Sequence, residues 1–463
     1  MSTPPHWPEV TFWEFCNPGR KYMKKQAPFL ASKPFGFMRI ACVTVLLFTL
    51  SACGSSEGEG DDTGNSSGSS SGSSSGSGAA TQIKVLLVGG RLWRTDGTAA
   101  GTVPVQDSNT GAVSFPYGIT EFNGAFYFQA NDGVNGFELW KTDGTAAGTV
   151  LVKDINPSTG LGTFHYRFTD FTVFDGALYF QADDGVNGFE LWKSDGTAAG
   201  TVPVKDINTA AGTGAFPTDF TVFNGVLYFS ADEGVSGRKL WKTDGTAAGT
   251  VLVKDINTGT GTGFLPDDFA RGFPVFNGAL YFRAQNGVNA YELWKTDGTA
   301  AGTVLVGDSN TAVWGSFITD GFAVFNGELY FQADYFGLAN AELWKTDGTA
   351  AGTVLVKDIN TENGGRRSDY LFTEFTVFNG ALYFQARDNV NGPRLWKTDG
   401  TAAGTVLVKD SSATATGSNN SGFTVSNAAL YFVTGSALWK TDGTAAGTQL
   451  LKDICPGPCN GPL

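Results

Sequence analysis

Acidic residues recur in one kind of loop and are the first candidates for chemistry in this sequence. They are Asp132, Asp183, Asp184, Asp232, Glu233, Asp334 and Asp388. Oxygen-rich loops can hold Ca²⁺, a hard cation, and two suitably placed carboxylates can hydrolyse a glycosidic bond. The equivalent loop at Gln285 has no acid, however, and no copy has EF-hand spacing. We name Asp183, Asp184, Asp232 and Asp334 as calcium candidates against a background of solvated turns, and we expect no other cofactor.

Tryptophan occupies one fixed position in a pattern, Leu-Trp-x-x-Asp-Gly-Thr-Ala-Ala-Gly-Thr, that the chain repeats. The residues are Trp93, Trp140, Trp192, Trp241, Trp294, Trp344, Trp396 and Trp439. Indole rings can stack on sugars, but one aromatic position repeated identically in buried strands is what packing requires. We therefore interpret these residues as packing residues. Trp314 lies outside the pattern and is the better candidate for an exposed contact.

The Asp-Gly pair of the pattern recurs without variation. Its aspartates are Asp96, Asp143, Asp195, Asp244, Asp297, Asp347, Asp399 and Asp442. Asp caps its own backbone and Gly accepts a positive φ, so the pair is typical of a tight turn. We predict a structural turn here rather than a site.

The residue before each Leu-Trp is less constant. It is Glu138, Glu190, Glu292 and Glu342 in four copies, and Arg91, Lys239, Arg394 and Ala437 in the others. Because the glutamate can be replaced by residues of opposite charge, we predict an exposed strand position.

Catalytic groups are hard to place in this chain. The chain has two histidines, His6 and His165, and only His165 lies in the repeat region, so a Ser-His-Asp arrangement depends on it. His165 stands between Phe164 and Tyr166, and we interpret it as a packed or surface residue. An enzyme site also needs one special copy, whereas these copies are nearly alike. The sequence favours a protein without catalytic residues, and a glycan-cleaving enzyme remains the alternative.

Composition limits the class of protein. The chain has 463 residues, 63 of them Gly and 37 Phe, only 16% charged residues and a net charge of −13. Many aromatics and glycines with few charges favour strands and tight turns. An acidic surface repels phosphate, so we expect no nucleic-acid partner.

The repeat has a period near 50 residues. The spacing between consecutive tryptophans of the pattern ranges from 43 residues (396 to 439) to 53 residues (241 to 294). Such a period indicates a repeat fold. In one copy, residues 171–174, 177–182, 189–193 and 202–207 predict four strands, with Asp175-Gly176 as a hairpin turn. Apolar residues on both faces of the second strand predict a sheet between two neighbouring sheets.

These features predict an all-β fold, a β-propeller of four-stranded antiparallel blades over residues 81–463. The first copy, from Ile83, lacks a first strand, so there are eight repeat units and seven of them are complete. We favour a closed ring of eight, with a seven-bladed ring as the runner-up and a stacked solenoid as the main alternative.

The N-terminal region reads as an export signal. Residues 40–52 are apolar and follow Arg39; the run is too short for a membrane span of about 20 residues and fits a signal peptide. It ends in Leu50-Ser51-Ala52-Cys53, which resembles the lipobox of bacterial lipoproteins. The resemblance implies an acylated, palmitate-bearing Cys53 that anchors the protein to a membrane. Gly54 after it implies sorting to the outer membrane.

The boundaries follow from this resemblance. Residues 1–52 form the signal region, and we expect translation to start at Met23 or Met38, with residues 1–37 upstream of the true start in the second case. Residues 53–80 comprise the lipidated Cys and a Gly/Ser-rich linker, which cannot bury enough apolar surface to order itself.

Two cysteines, Cys455 and Cys459, lie near the C-terminal end of the sequence. An exported protein occupies a compartment that permits disulfides. We predict a local disulfide between them, with metal binding by two thiols as the minor alternative.

The repeated pattern resembles the ELWxxDGT repeat family of exported bacterial proteins, over about residues 83–454. The resemblance implies a propeller-like surface protein and supplies no reaction for any residue.

Variation between copies falls in the connections between units, at residues 208–219, 257–271 and 360–370. Binding residues concentrate in loops on a rigid scaffold. We therefore predict a lipid-anchored cell-envelope protein whose propeller binds a protein or a glycan through its variable loops. The alternatives are a glycan-cleaving enzyme that uses loop carboxylates and a purely structural envelope component; the sequence does not indicate an oligomeric state.

Overall fold

The computed structural model describes most of the repeat region. The described residues are 84–88, 91–95, 100–101, 103–105, 114–132, 134, 136–157, 171–210, 212–235, 237–256, 273–284, 292–306, 318–334, 341–359, 375–388, 392–409, 420–426, 428–434 and 437–453. They belong to one compact unit.

The described strands form eight antiparallel sheets in chain order, which we number 1 to 8. Sheet 1 contains β1 (Lys84–Val88), β2 (Arg91–Thr95) and β3 (Val103–Pro104). Sheet 2 contains β4 (Ser114–Phe122), β5 (Ala125–Asn131), β6 (Phe137–Thr142) and β7 (Val150–Lys153). Sheet 3 contains β8 (Thr172–Phe174), β9 (Ala177–Asp183), β10 (Phe189–Ser194) and β11 (Val202–Lys205). Sheet 4 contains β12 (Thr218–Phe223), β13 (Val226–Asp232), β14 (Arg238–Thr243) and β15 (Val251–Leu252).

The second half repeats this order. Sheet 5 contains β16 (Val275–Phe276), β17 (Ala279–Ala284), β18 (Glu292–Thr296) and β19 (Val304–Leu305). Sheet 6 contains β20 (Ile318–Phe325), β21 (Glu328–Asp334), β22 (Ala341–Thr346) and β23 (Val354–Lys357). Sheet 7 contains β24 (Phe375–Phe378), β25 (Ala381–Asp388), β26 (Gly392–Thr398) and β27 (Val406–Leu407). Sheet 8 contains β28 (Asn420–Ser426), β29 (Ala429–Thr434), β30 (Ala437–Thr441) and β31 (Gln449–Asp453).

The all-β prediction and the four-strand unit are confirmed, and sheet 1 has three strands among the described residues. The described residues contain no helix, and hence no helix that could cross a membrane. The turn between β12 and β13 shows why the copies carry Asn-Gly: Asn224 has φ of 49° and Gly225 of 72°. A two-residue turn with both central φ values positive matches the twist of a hairpin.

Apolar residues on both strand faces seal each sheet between its neighbours. In β9, Leu178 and Phe180 pack on sheet 2, whereas Tyr179 packs on sheet 4. Each of these side chains is at most 2% exposed, and burial of each contributes about 1.5–3 kcal/mol. One such apolar cluster joins every consecutive pair of sheets from 1–2 to 7–8.

Neighbouring sheets converge along their first strands. Cα atoms of β8 and β12, of β20 and β24, and of β24 and β28 lie within 8 Å of each other. The sheets are therefore the blades of a β-propeller, and in the four-stranded blades the first strand lies nearest the axis. The first strands carry valines that stay 43–50% exposed: Val173, Val222, Val275, Val324, Val377 and Val425.

Candidate functional site: the variable loop end

Antiparallel strands place alternate turns at opposite ends of each sheet. The hairpin turns and the Asp-Gly-Thr-Ala-Ala-Gly-Thr turns lie at one end, which we call the constant end. The loops between second and third strands and the connections between sheets lie at the other, which we call the variable end. Both ends carry aspartate and glycine in their turns, but the contacts of these residues differ between the two ends.

The aspartate of the constant turn caps its own backbone. Asp195 Oδ1 accepts hydrogen bonds from Thr197 N (2.8 Å) and Thr197 Oγ1 (2.7 Å), and a Cβ at Gly200 would overlap its carboxylate. The Thr197 hydroxyl holds the pKa of Asp195 below its ordinary value. The same bonds recur at Asp143, Asp244, Asp297, Asp347, Asp399 and Asp442. The predicted turn role therefore holds at all seven; Asp96 lies outside the described residues.

The constant turns of sheets 3 to 8 also accept hydrogen bonds from lysines of the preceding sheet. Lys141 Nζ donates to Gly196 O (3.0 Å), and Lys153 Nζ donates to Thr201 O (2.6 Å). The Tyr127 hydroxyl lies where a Cβ of Gly196 would be. Equivalent lysine bonds reach Gly245, Gly298, Gly348, Gly400 and Gly443. The repeated pattern therefore joins neighbouring sheets, and we call these lysine and tyrosine contacts to the constant turn the interlock.

The tryptophans pack as predicted. Seven of them, from Trp140 to Trp439, are at most 9% exposed, and Trp93 in sheet 1 is partly exposed. Lys153 Nζ lies 5.6 Å above the Trp192 ring, which adds a cation–π contact to the interlock. The seven buried rings offer no open face for sugar stacking.

The acidic loop residues cap local turns at the variable end. Asp183 Oδ1 accepts from Gly185 N (2.7 Å), Asp184 Oδ1 from Val186 N (2.9 Å), and Asp232 Oδ1 from Gly234 N (2.8 Å). Asp334 ends β21, and its side chain is outside the described part. Among the residues described, no group of three His, Cys, Asp or Glu could hold a metal ion. Calcium at these loops remains a prediction.

The tips of the same loops expose valines. Val134, Val186 and Val235 follow a glycine in the loops of sheets 2, 3 and 4, and are 65%, 68% and 84% exposed. No other large apolar side chain in the described part is more than 50% exposed. The recurring Gly-Val-Asn-Gly and Gly-Val-Ser-Gly segments could have pointed to them from sequence alone.

The prediction of an exposed glutamate before Leu-Trp is wrong. Glu138, Glu190, Glu292 and Glu342 are at most 3% exposed. Glu190 Oε2 accepts from Ile207 N (2.9 Å), and Oε1 accepts from Asn208 N (3.2 Å) and Ala215 N (3.0 Å). A carboxylate that receives several backbone hydrogen bonds can be buried, which apolar periodicity does not reveal.

These glutamates position the connections between sheets. Glu138 likewise accepts from Ile155 N (2.7 Å) and Asn156 N (3.2 Å), and Glu342 from Ile359 N (2.6 Å). Burial raises the pKa of Glu138 and of Glu190 to about 7, although the backbone donors act in the opposite direction.

The held connections in turn abut the valine loops. The Asn156 side chain fills the space beside Gly185, next to Val186, and the Asn208 side chain fills the space beside Gly234, next to Val235. Glu138 and Glu190 thus support the loops that carry Val186 and Val235 of the next sheets.

Sheet 4 departs most from the repeat. Lys239 replaces the glutamate, is 3% exposed, and pairs with Glu233 and with Asp255 (3.1 Å). Burial lowers the pKa of Lys239, but its bonds to Glu233 and Asp255 outweigh burial and raise it.

A polar network accompanies Lys239 in sheet 4. Ser230 Oγ donates to Asp219 Oδ2 (2.6 Å), and Arg238 Nη2 donates to Ser230 Oγ (2.8 Å) and to Thr218 Oγ1. Asp219 takes a left-handed φ of 64° to make these bonds. Ser230 is 1% exposed, so the network braces the sheet rather than presenting a nucleophile.

Several predicted residues lie outside the described ranges. They are the lipidation residue Cys53, the cysteines Cys455 and Cys459, His165 and Trp314. The roles that the sequence analysis gives these residues therefore stay predictions.

Comparison with models of protein families finds no match, and comparison with curated proteins finds none either. Among solved structures, the chain is similar to the computationally designed Ika8 protein, with 14% identity, a TM-score of 0.41, and coverage of 73% of this chain and 86% of that one. It is also similar to puromycin hydrolase, with 15% identity, a TM-score of 0.39, and coverage of 75% and 55%. A prolyl endopeptidase matches with 12% identity, a TM-score of 0.38, and coverage of 72% and 49%. The chain spans about half the length of these two enzymes; what it has been shown to possess is the propeller fold.

Proposed function

We propose that this chain is a lipid-anchored protein of the bacterial cell envelope whose propeller binds a protein or a glycan through its variable end. The observation that carries the proposal is the row of exposed valines, Val134, Val186 and Val235, on loops of three consecutive sheets. Exposed apolar groups that are held in place on a rigid scaffold are typical of an interaction surface.

The contacts behind the valines support this proposal. Glu138 and Glu190 hold the connections that abut the next loops, so a partner meets a preorganised surface and ordering it costs little binding energy. At the constant end, the aspartate and threonine of the turn bond within the turn, and in sheets 3 to 8 a lysine of the preceding sheet binds a turn carbonyl group.

A binding assay on the full chain tests the proposal. The chain, in detergent, is applied to a glycan array and to envelope proteins of the source cell, with calcium chloride or with a chelator. We expect binding that falls at least about tenfold in the triple variant Val134→Ser, Val186→Ser, Val235→Ser, because apolar anchors carry much of an interface's energy.

The matched control alters the other end. Ala147, Ala199 and Ala248 are exposed in the constant turns of the same three sheets, and their change to Ser should leave binding intact. Binding lost in the control and kept in the valine variant would contradict the proposal. Release of sugar from an array glycan would instead indicate the enzyme.

The anchor is tested separately. Cys53→Ser should move the exported protein from the detergent phase to the aqueous phase, because an acyl chain supplies about 0.8 kcal/mol per buried CH₂. Partition of the wild-type protein into the aqueous phase would refute lipidation without bearing on the loops.

A further inference from the structure

The variable end of sheets 2 to 4 carries many acidic side chains in the part of the chain that the structure describes. Those in the loops and connections around the exposed valines are Asp132, Asp154, Asp183, Asp184, Asp206, Asp232, Glu233 and Asp255. Each of these residues is partly or fully exposed. The valine surface that the proposed function assigns to a partner is therefore rimmed with carboxylates.

The carboxylates stand directly beside the valines. Asp132 Oδ1 accepts a hydrogen bond from Val134 N (2.8 Å), and Asp184 Oδ1 accepts one from Val186 N (2.9 Å). Asp232 caps the third loop one residue earlier (2.8 Å). Because a carboxylate is fixed at the base of each apolar tip, a partner that covers the valines also comes within reach of the charges.

The basic side chains of the same sheets are engaged elsewhere. Six of the seven described lysines in sheets 2 to 4 donate to carbonyl groups of the constant turns. They are Lys141, Lys153, Lys193, Lys205, Lys242 and Lys254. The seventh, Lys239, is buried and pairs with Glu233 and Asp255. The neighbouring Arg238 bonds within the polar network of sheet 4. The described part of this end therefore carries an excess of negative charge.

The acids of one sheet lie close enough to act on one another. Burial is the main cause of the raised pKa of Glu138, and the charges of Asp154 and Asp132 add to it. Asp206 acts in the same way on Glu190. A cationic group placed among these carboxylates would therefore be attracted by several of them at once.

We propose that the valine surface of sheets 2 to 4 binds a segment of a second protein in which apolar side chains stand beside lysine or arginine. This inference rests on the proposed function and narrows its partner to one class. Apolar side chains of the segment cover Val134, Val186 and Val235, and its cations pair with the carboxylates of the rim. An anionic glycan would be repelled by the rim, and a neutral glycan would gain nothing from its charge.

Three fluorescent peptides of equal length test the chemistry of the partner. They alternate leucine with lysine, leucine with glutamate, and serine with lysine. Each is titrated against the full chain in a non-ionic detergent, with the detergent alone as the blank. We expect saturable binding of the leucine–lysine peptide, at least about tenfold tighter than binding of either other peptide. Added salt should weaken it, because salt screens exposed charges.

A matched pair of variants separates the rim from the net charge of the whole protein. Asp183→Asn with Asp232→Asn removes two charges at the variable end, and sheet 2 already has an asparagine, Asn131, at this position. Asp195→Asn with Asp244→Asn removes two charges from the constant turns of the same two sheets. We expect the first pair to weaken binding of the leucine–lysine peptide at least about threefold, and the second pair to leave it unchanged.

The outcomes distinguish this inference from the proposed function. Equal binding of the leucine–lysine and leucine–glutamate peptides, with both lost in Val134→Ser, Val186→Ser, Val235→Ser, would keep the valine surface and overturn the cationic partner. Equal weakening by the two pairs of aspartate variants would also overturn it.

Absence of binding by the leucine–lysine peptide would overturn the inference as well. Glycan binding on the array that the valine variant abolishes would then leave the proposed function standing, with a glycan as the partner. The comparison of peptides on the parent protein remains decisive if an aspartate variant fails to fold.

Discussion

Both ends of the sheets use an aspartate and a glycine to turn the chain, but their surroundings differ. At the constant end, Asp195 caps a turn that Lys141 and Lys153 of the preceding sheet grip through its carbonyl groups. At the variable end, Asp184 caps a loop whose tip, Val186, points to solvent. The first turn is fixed both by its own hydrogen bonds and by those from the preceding sheet, which explains its constancy. The second loop is capped by its own aspartate and contacts the neighbouring connection through Gly185, but its tip is exposed.

The largest effect should come from a clash inside the interlock. Gly196 has φ of 93° and abuts the Tyr127 hydroxyl, whereas Gly176 has φ of 71° and open space where a Cβ would lie. Gly176→Ala should cost about 1–2 kcal/mol from backbone strain alone. Gly196→Ala should cost about 1–3 kcal/mol more because of overpacking. Urea unfolding of the full chain measures both, and equal losses would show that the interlock adds nothing to stability.

The buried glutamate gives the next largest effect. Glu190→Ala leaves the N–H groups of Ile207, Asn208 and Ala215 without their acceptor, which should cost about 1–3 kcal/mol in unfolding free energy. Glu190→Gln retains one acceptor oxygen and should cost less. If Glu190→Ala left the unfolding free energy unchanged, Glu190 would behave like the exposed residue that the sequence predicted, and its hydrogen bonds would not stabilise the fold.

The sequence predicts the repeated features well because they follow from local rules. Asn224-Gly225 requires a turn with positive φ, and apolar residues on both sides of β9 require a sheet on each face. The buried glutamates escape prediction because their partners are backbone groups 17 to 25 residues away, as between Glu190 and Ala215. The exposed valines lack the apolar periodicity that marks strands and helices, so only the recurrence of the Gly-Val-Asn-Gly segment points to them. The three described strands of sheet 1 follow from the sequence, but the partial exposure of Phe126 depends on how two sheets pack.

The two ends should contribute to the free energy of unfolding with opposite dependence on pH. Folding raises the pKa of Glu138 and Glu190 from 4.5 to about 7, so the folded chain binds more protons than the unfolded chain between these values. Their contribution to stability is fully present below pH 4.5 and is lost as the pH rises through 7, with a slope of at most about 1.4 kcal/mol per pH unit for each group. The constant-end aspartates have lowered pKa values, so their contribution is lost only as the pH falls below the ordinary value for Asp.

Urea unfolding at several pH values between 4.5 and 7.5 checks this sign. The Glu190→Gln variant should show a smaller fall in stability with rising pH than the parent. A parent whose stability rises steadily across this range, with Glu190→Gln parallel to it, would rule out the protonated glutamate.

The smallest effect should come from a single lysine of the interlock. Lys153→Met keeps the aliphatic contact but loses the bond from Nζ to Thr201 O and the contact with the Trp192 ring. We expect a loss of about 0.5–1.5 kcal/mol in unfolding free energy. The matched variant Lys452→Met changes an exposed lysine at the same position of sheet 8 and should lose less. A larger loss there would show that Lys452 makes a contact as strong as that of Lys153.

Hydrogen–deuterium exchange on the full chain tests the central contrast most directly. The amides of Gly196, Thr197 and Gly200 all donate within the constant turn, which the preceding sheet also grips. We predict that residues 194–201 exchange as slowly as the adjoining strands, and that residues 183–188 exchange much faster. Equal rates in the two segments, or faster exchange at the constant turn, would contradict the claim that bonds from the preceding sheet hold the constant turn more tightly than the variable loop.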